Sequence, residues 1–240
     1  MNDLLGLALA AHGGIERWRG FIDVEASVSV TGNLLSIKKL RSDIFSALCV
    51  QAATHEQGMI LRPFSEPDRL AFFEPQRVTI ETLEEQVVFS CETPLTQFED
   101  QTIETPWDRW HAAYFLGYML WSFLTTPFLY TYPGFASEEL SPHEENGEEW
   151  RRLKVVFPRH FARHSRTQFA YFGPDGLLRR HDTAIDLLGS TFSKDYATDY
   201  GEFNGIKLPM KHRLHGTTAD GRTMEPAPLL AIDFKSVVFR

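Results

Sequence analysis

Cysteine is almost absent from this sequence, which has only Cys49 and Cys91 in 240 residues. The two form no C-x-x-C pair and no spacing typical of a metal site. A disulfide framework or a zinc cluster therefore cannot organise the fold. A chain of this length does not need one, since it buries roughly 70–75% of its extended surface on folding. We expect both cysteines to be reduced; a single disulfide between them is the alternative.

The motifs of several large enzyme classes are also missing. The sequence has no G-x-S-x-G, no H-E-x-x-H, no P-loop and no G-x-G-x-x-G. His160 and His164 are four residues apart, but Pro158 favours a loop there. The register expected for the next hairpin places His181 opposite Gln168, on the order of 13 Å from His164 at strand rise. We therefore predict no metal site and no cofactor.

The chain is acidic, with a formal net charge of −8. A negative surface is repelled by phosphate backbones, so nucleic acid is not expected as a partner. An acidic run at 138–149 directly precedes a basic stretch from Arg151 to Arg166. This pattern is typical of a solvated surface whose charges compensate each other.

The first eleven residues are apolar, but they lack a basic n-region and contain Asp3. Their apolar run is too short to precede a normal cleavage site. We therefore predict a short helix of the folded protein rather than a signal peptide, and a cytoplasmic location. The glycine pair Gly13-Gly14 should end this helix.

The segment 107–130 is the most unusual part of the chain. No Asp, Glu, Lys or Arg occurs from Trp110 to Ser137. Apolar residues on all sides of a helix indicate that it is buried or lies in a membrane. Thr105 is a possible N-cap, and Pro127 should end or kink the helix. Amphipathic strands on both sides favour burial over a membrane span.

Strand-like patterns flank this helix. The clearest runs from Ile22 to Val30, where apolar and polar residues alternate with a period of two. Asn204-Gly205 is a strong two-residue hairpin signal. We count about six strands before the apolar helix and about five after it, within one continuous domain at 1–240. The further candidate strands are 34–40, 44–53, 59–62, 69–73, 76–89 (broken near 82), 150–157, 167–172, 177–188, 195–203, 206–214 and 229–239.

Two short motifs accompany this order of elements. One is Ala10-Ala11-His12-Gly13-Gly14 followed by Trp18, and the other is the hairpin from Tyr200 to Pro209, which reads YGEFNGIKLP. Together with the order of elements, they resemble the LolA/LolB-like superfamily of bacterial lipoprotein carriers. The resemblance implies a mainly β (α+β) fold, in which a curved antiparallel sheet of about 11 strands forms an incomplete barrel. An N-terminal helix and the central apolar helix would plug it. The carriers are exported, whereas this chain has no lipobox cysteine and no credible signal peptide.

The function that this resemblance implies is binding of an apolar small molecule or lipid between the concave sheet and helix 107–130. Aromatic residues of the helix would form the wall, and a few polar groups would fix the ligand. Core packing alone explains the same aromatic residues equally simply. The candidate wall residues are Trp110, Tyr114, Tyr118, Trp121 and Phe123, and the candidate polar anchors are His111, Thr125 and Tyr130.

Two alternatives stay open. Asp108 and His111 share one helix face, so the carboxylate could orient the imidazole for acid–base catalysis in the same cavity. Their simpler role is a first-turn charge and one buried hydrogen bond, because no nucleophile accompanies them. The other alternative is a non-catalytic module that presents an edge strand or an apolar surface to a partner.

Overall fold

A single sheet of thirteen antiparallel strands organises the molecule. The computed structural model describes residues 3–240, so the part of the N-terminal prediction that concerns Met1 and Asn2 lies outside the described residues. The strand order is β6-β5-β4-β3-β2-β1-β13-β12-β11-β10-β9-β8-β7. The strands are β1 Asp23–Thr31, β2 Leu48–Ala53, β3 Met59–Arg62, β4 Arg69–Glu74, β5 Arg77–Thr82, β6 Val87–Cys91, β7 Ala136–Glu145, β8 Glu148–Val156, β9 Thr167–Phe172, β10 Leu178–Ile185, β11 Thr191–Phe203, β12 Ile206–Gly216 and β13 Leu230–Phe239.

Two long helices and two short ones accompany the sheet. The predicted mainly β fold is confirmed: the sheet is open and curved, and one apolar helix lies at its centre. None of the helices within residues 3–240 is long and apolar enough to cross a bilayer. The helices are α1 Asp3–Ala11, α2 Ile15–Trp18, α3 Asn33–Ile37 and α4 Arg109–Thr125, with 3-10 turns at Ser42–Phe45, Pro94–Phe98, Phe128–Thr131 and Asp186–Leu188.

The glycine pair ends α1 as predicted, and Gly13 has a second role. Its φ is +116°, which favours glycine. A Cβ atom at this position would lie 2.2 Å from the carbonyl oxygen of Gly205, in the turn between β11 and β12. Glycine at position 13 therefore lets the end of α1 touch the hairpin, while Gly205 leaves room for the side chain of Arg17. The two short motifs of the sequence thus meet in space.

The alternation predicted for 22–30 is confirmed within β1, but not at Ile22, which lies before the strand and is exposed. Val24, Ala26, Val28 and Val30 are buried, while the residues between them are partly exposed. A period of two puts alternate side chains on opposite faces. The buried set therefore faces the concave interior, where the core lies.

One predicted strand is wrong. Residues 34–40 contain the short helix α3 rather than a strand. Leu34 and Leu35 are consecutive and both buried, which a strand with one wet face does not allow. The chain then buries Lys38, whose Nζ donates to the carbonyl oxygens of Thr102 (2.8 Å) and Thr105 (3.1 Å). This anchor holds the segment that leads into α4.

One observed strand was not predicted. The acidic run contains β7, which forms an edge of the sheet and pairs with β8. Glu139 accepts from Arg151 at 2.8 Å and Glu138 from Lys154 at 3.3 Å, so the acidic and basic runs lie side by side. Charged side chains on an edge strand discourage pairing with another molecule.

The central helix is shorter than the predicted 107–130 segment. It begins after Asp108 rather than Thr105, and the chain leaves it at Thr126, just before Pro127. The backbone of α4 packs chiefly against β3, β4 and β5. Gly117 makes this approach possible, because a Cβ there would lie 2.4 Å from Cγ of Phe73 on β4. The helix thus sits on one half of the sheet, which leaves β9 to β12 to be reached by long side chains.

Candidate functional site

The interior around α4 is closed to water along nearly its whole length. Between residues 111 and 130, Ser122 is the one residue that is not buried. Its Oγ donates to the carbonyl oxygen of Tyr118 at 2.8 Å, one turn earlier on the helix. Residues four apart lie on the same face of a helix. Tyr118 and Ser122 therefore mark one polar stripe on an otherwise apolar helix.

Two of the predicted wall residues face the half of the sheet on which α4 sits. Tyr114 donates from its hydroxyl to the carbonyl oxygen of Pro75 at 3.3 Å. Trp121 donates from Nε1 to the carbonyl oxygen of Ala53 at 2.9 Å. Burial raises the pKa of Tyr114 to about 12, so its hydroxyl stays a donor. The first acceptor follows β4 and the second ends β2, so the two hydrogen bonds anchor the helix to this half of the sheet.

Two others face the opposite half of the sheet. The hydroxyl of Tyr118 lies 2.9 Å from Nδ1 of His164, in the loop before β9. Phe123 stacks on His212 of β12, with ring centroids 3.9 Å apart and planes 8° from parallel. Burial raises the pKa of Tyr118 well above its ordinary value and lowers the pKa of His164 to about 3. Both groups are thus neutral at pH 7.

The remaining predicted residues lie at the two ends of α4. Trp110 is half-buried and stacks on Phe89 of β6. Thr125 is buried and donates to the carbonyl oxygen of Trp121 within the helix. Tyr130 is buried in the 3-10 turn after the helix. The predicted residues therefore do not form one wall, and their contact with a ligand stays a prediction.

Asp108 and His111 form the cap of α4. The Asp108 carboxylate accepts from the backbone N–H of His111, and the Asp108 N–H donates to Nδ1 of His111 at 3.2 Å. Trp110 stacks on the imidazole at 3.6 Å, and Gln101 Nε2 lies 3.0 Å from its Nε2. Burial lowers the pKa of His111 to about 4. This geometry matches the structural role of the pair; its catalytic use stays an untested prediction.

A buried polar cluster, which the sequence did not indicate as a site, lies on β10, β11 and β12. It consists of His181, Asp195 and His212. Nδ1 of His212 is 2.7 Å from Oδ2 of Asp195, and both side chains are almost completely buried. Asp195 stands directly opposite His181 in the sheet. Directly opposite residues share a face. The stack of Phe123 on His212 places this face under α4.

Three polar atoms of this cluster have no hydrogen-bond partner among the described residues. They are Nε2 of His181, Oδ1 of Asp195 and Nε2 of His212. Most buried polar atoms in native proteins are paired, so each exception needs a reason. The alternation of β11 and β12 could have placed Asp195 and His212 on the inner face, but pairing two distant strands needs the three-dimensional register.

The predicted register of His181 is wrong by two residues. His181 pairs with Ala170 rather than Gln168. Phe172 pairs with Leu178 instead of Leu177, and an irregularity between Leu178 and Arg180 adds the second residue of the shift. Among residues 3–240, no group of three or more His, Cys, Asp or Glu side chains is placed to hold a metal ion. Cys49 and Cys91 are free thiols.

A cavity of about 430 Å³ opens at one end of α4. Two of its lining residues, Tyr132 and Phe161, contact the ring of Trp121. The side chain of Gln57 forms two hydrogen bonds with the backbone of Ala162, donating to its carbonyl oxygen and accepting from its N–H, both at 2.8 Å. The loop between β2 and β3 is thereby tied to the loop between β8 and β9, and the cavity sits above the tie.

A second cavity of about 330 Å³ lies on the outer face, away from α4. Arg152, Tyr171 and Lys194 are among its lining residues. The nearby Arg180 is buried and bonded to Glu145 and Asp182. None of the residues predicted for the ligand lines this cavity. It therefore does not bear on the interior site.

Known proteins resemble this chain in structure and not in sequence. No family model matches it, and no curated protein matches it. A DUF1329 family protein from Desulfovibrio piger superposes with a TM-score of 0.57 at 9% identity, over 98% of this chain and 91% of that chain. A domain assigned to outer membrane lipoprotein sorting from Vibrio parahaemolyticus gives 0.55 at 7%, over 98% and 92%.

A third solved structure carries the name that the sequence motifs suggested. A LolA superfamily protein from Nitrosomonas europaea superposes with a TM-score of 0.51 at 9% identity, over 94% of this chain and 91% of that chain. Identities this low establish shared architecture and nothing about ligands. The long antiparallel sheet wrapped around one apolar helix, matched over nearly its full length, gives this chain the LolA-like fold.

Proposed function

We propose that this protein binds an apolar ligand with an acyl-like chain, held between the concave sheet and α4. The observation that carries the proposal is that Ser122 is only partly buried, whereas every other residue from 111 to 130 is buried. Ser122 lies one turn after Tyr118, whose hydroxyl contacts His164 before β9. A hollow there would be lined by rings and a few polar groups, as ligand sites commonly are.

The position of α4 on one half of the sheet supports this placement of the ligand. The helix backbone lies close to β3, β4 and β5, where Gly117 allows near contact with Phe73. Toward β9 to β12, contact is made by side chains, among them those of Phe115, Tyr118 and Phe123. Native interiors are close-packed, so an apolar chain fits on this side where the packing between those side chains is incomplete.

An entry route is available at the end of the barrel. The 430 Å³ cavity lies above Tyr132 and Phe161, whose rings contact Trp121 on α4. Its volume falls within the range of about 300–1,000 Å³ that is usual for small-molecule sites. A ligand would enter here and pass beneath the Gln57 tie. We propose this entry route for the ligand, and we propose that the protein acts in the cytoplasm.

The test measures the mass of any bound molecule and the affinity for a fluorescent ligand. Protein purified from its own host is examined by native mass spectrometry, and a fluorescent fatty acid is titrated into delipidated protein. We expect a co-purifying apolar molecule and saturable binding. The variant Ser122→Trp should fill the hollow and abolish saturation, with Ser122→Leu as a milder substitute if the first does not fold. Ser46→Trp, at an exposed serine, is the matched control.

Two results would end the proposal. One is the absence of both a bound molecule and saturable binding in the unchanged protein. The other is unaltered affinity in folded Ser122→Trp, since the ligand would then lie elsewhere.

A second candidate function is docking of a protein partner on strand β6. This strand is an edge of the sheet. Leu83, Val87, Val88 and Leu95 are all exposed in or beside it. Exposed edges with apolar side chains are templates for β-strand addition. Replacing Val88, on the edge strand, by Lys should then abolish partner capture without altering binding of the fluorescent fatty acid. Equal capture by both forms would argue against this role.

A further inference from the structure

The three unpaired atoms of the buried cluster share a chemical character. Nδ1 of His212 donates to Asp195 Oδ2. In a neutral imidazole, a donor at Nδ1 leaves Nε2 as an acceptor. The carboxylate oxygen Oδ1 of Asp195 also accepts. His181 is kept neutral, since burial lowers its pKa. The cluster therefore presents the unpaired carboxylate oxygen Oδ1 of Asp195, which accepts, beside two unpaired imidazole nitrogens.

These atoms lie on the face of the sheet that is turned toward α4. His212 lies against Phe123, and Asp195 pairs diagonally with it across β11 and β12. The ring of Phe123 is the contact that brings α4 to this cluster. What could complete the cluster is a group that donates hydrogen bonds.

We infer that His181, Asp195 and His212 bind the hydroxyl head of a neutral apolar ligand, such as a long-chain alcohol or a monoacylglycerol. This inference rests on the proposed function and names the ligand class for the same interior. A hydroxyl donates to Asp195 or His212 and can accept in turn from His181. Its hydrocarbon tail lies along the apolar surface of α4.

Two other head groups fit less well. A fatty acid carboxylate would bring a second negative charge beside Asp195 in an interior that screens charge poorly. A primary ammonium would complement Asp195, but a second buried ion must lose its hydration. The His212 imidazole already occupies one oxygen of that carboxylate. A neutral donor satisfies the acceptors without burying another charge.

The test compares three ligands with the same tail. 1-Decanol, decanoate and decylamine are titrated calorimetrically at pH 7 into delipidated, full-length protein. We expect decanol to bind at least ten-fold more tightly than decanoate, and more tightly than decylamine. In the double variant Asp195→Leu with His212→Phe, the preference for decanol should fall below two-fold. His215→Phe, on the opposite face of β12, should keep the preference.

The outcomes separate this inference from the proposed function. Decanoate or decylamine binding as tightly as decanol would overturn the hydroxyl assignment and leave apolar ligand binding intact. An equal preference for decanol in the wild-type protein and the double variant would overturn the assignment to this cluster. A crystal structure in which the hydroxyl of bound decanol lies away from the cluster would do the same. Failure of all three ligands and of the fluorescent fatty acid would overturn both. The wild-type comparison holds even if the double variant does not fold.

Discussion

Acid should destabilise this protein well above the pH at which carboxylates are protonated, and His164 supplies the clearest case. Burial lowers its pKa from 6.5 to about 3. As pH falls below 6.5, the unfolded chain binds a proton that the folded chain refuses. The contribution of His164 to the unfolding free energy is therefore fully present above pH 6.5 and is lost progressively between pH 6.5 and pH 3. At about 1.36 kcal/mol per unit, the loss at pH 5 is about 2 kcal/mol from this residue alone.

The assay is urea unfolding of the wild-type protein and of His164→Gln at pH 7, 6 and 5. The decrease in unfolding free energy between pH 7 and pH 5 should be about 2 kcal/mol smaller in the variant. His55→Gln, at an exposed histidine, should retain the wild-type decrease. A wild-type pH dependence in folded His164→Gln would refute the reasoning. His12, whose pKa burial lowers to about 4, offers a second substitution for the same comparison.

Three further changes test the helix seat, its cap and the tie above it. Gly117→Ala should lower the unfolding free energy by about 1–3 kcal/mol, because the added methyl group overpacks against β4. The control Gly6→Ala in α1, which has open space around it, should not lower the unfolding free energy. Thermal unfolding measures both variants. Asp108→Ala should cost about 0.5–2 kcal/mol through loss of the α4 cap, and Asp108→Asn much less, in urea titrations. Gln57→Ala should speed hydrogen exchange at Ala162 and release of the fluorescent fatty acid in stopped flow, and unchanged rates would remove its role at the entry.

The parts of the fold that were predictable depend on local chemistry. The charge-free segment could only be a buried or membrane helix, and the alternation of β1 required one wet face. Asn204-Gly205 set a hairpin by turn geometry alone. Each of these signals is strong enough that tertiary packing did not override it.

The parts that failed depend on packing between distant residues. Residues 34–40 fold as a helical turn because Lys38 finds two carbonyl acceptors more than sixty positions away. β7 consists mainly of polar residues, since an edge strand needs charge rather than apolar alternation. The buried pair of Asp195 and His212 depends on strand register, which the turn signals alone do not determine for long hairpins.

The buried cluster is difficult to explain by stability alone. A buried polar atom without a partner costs about 1–3 kcal/mol. Three such atoms together approach the net stability of about 5–15 kcal/mol that a whole domain has. Apolar residues at His181, Asp195 and His212 would fill the same space without that cost, as they do under α4 on the other half of the sheet. Residues that reduce stability in the free protein are best explained by an interaction made only in the bound protein.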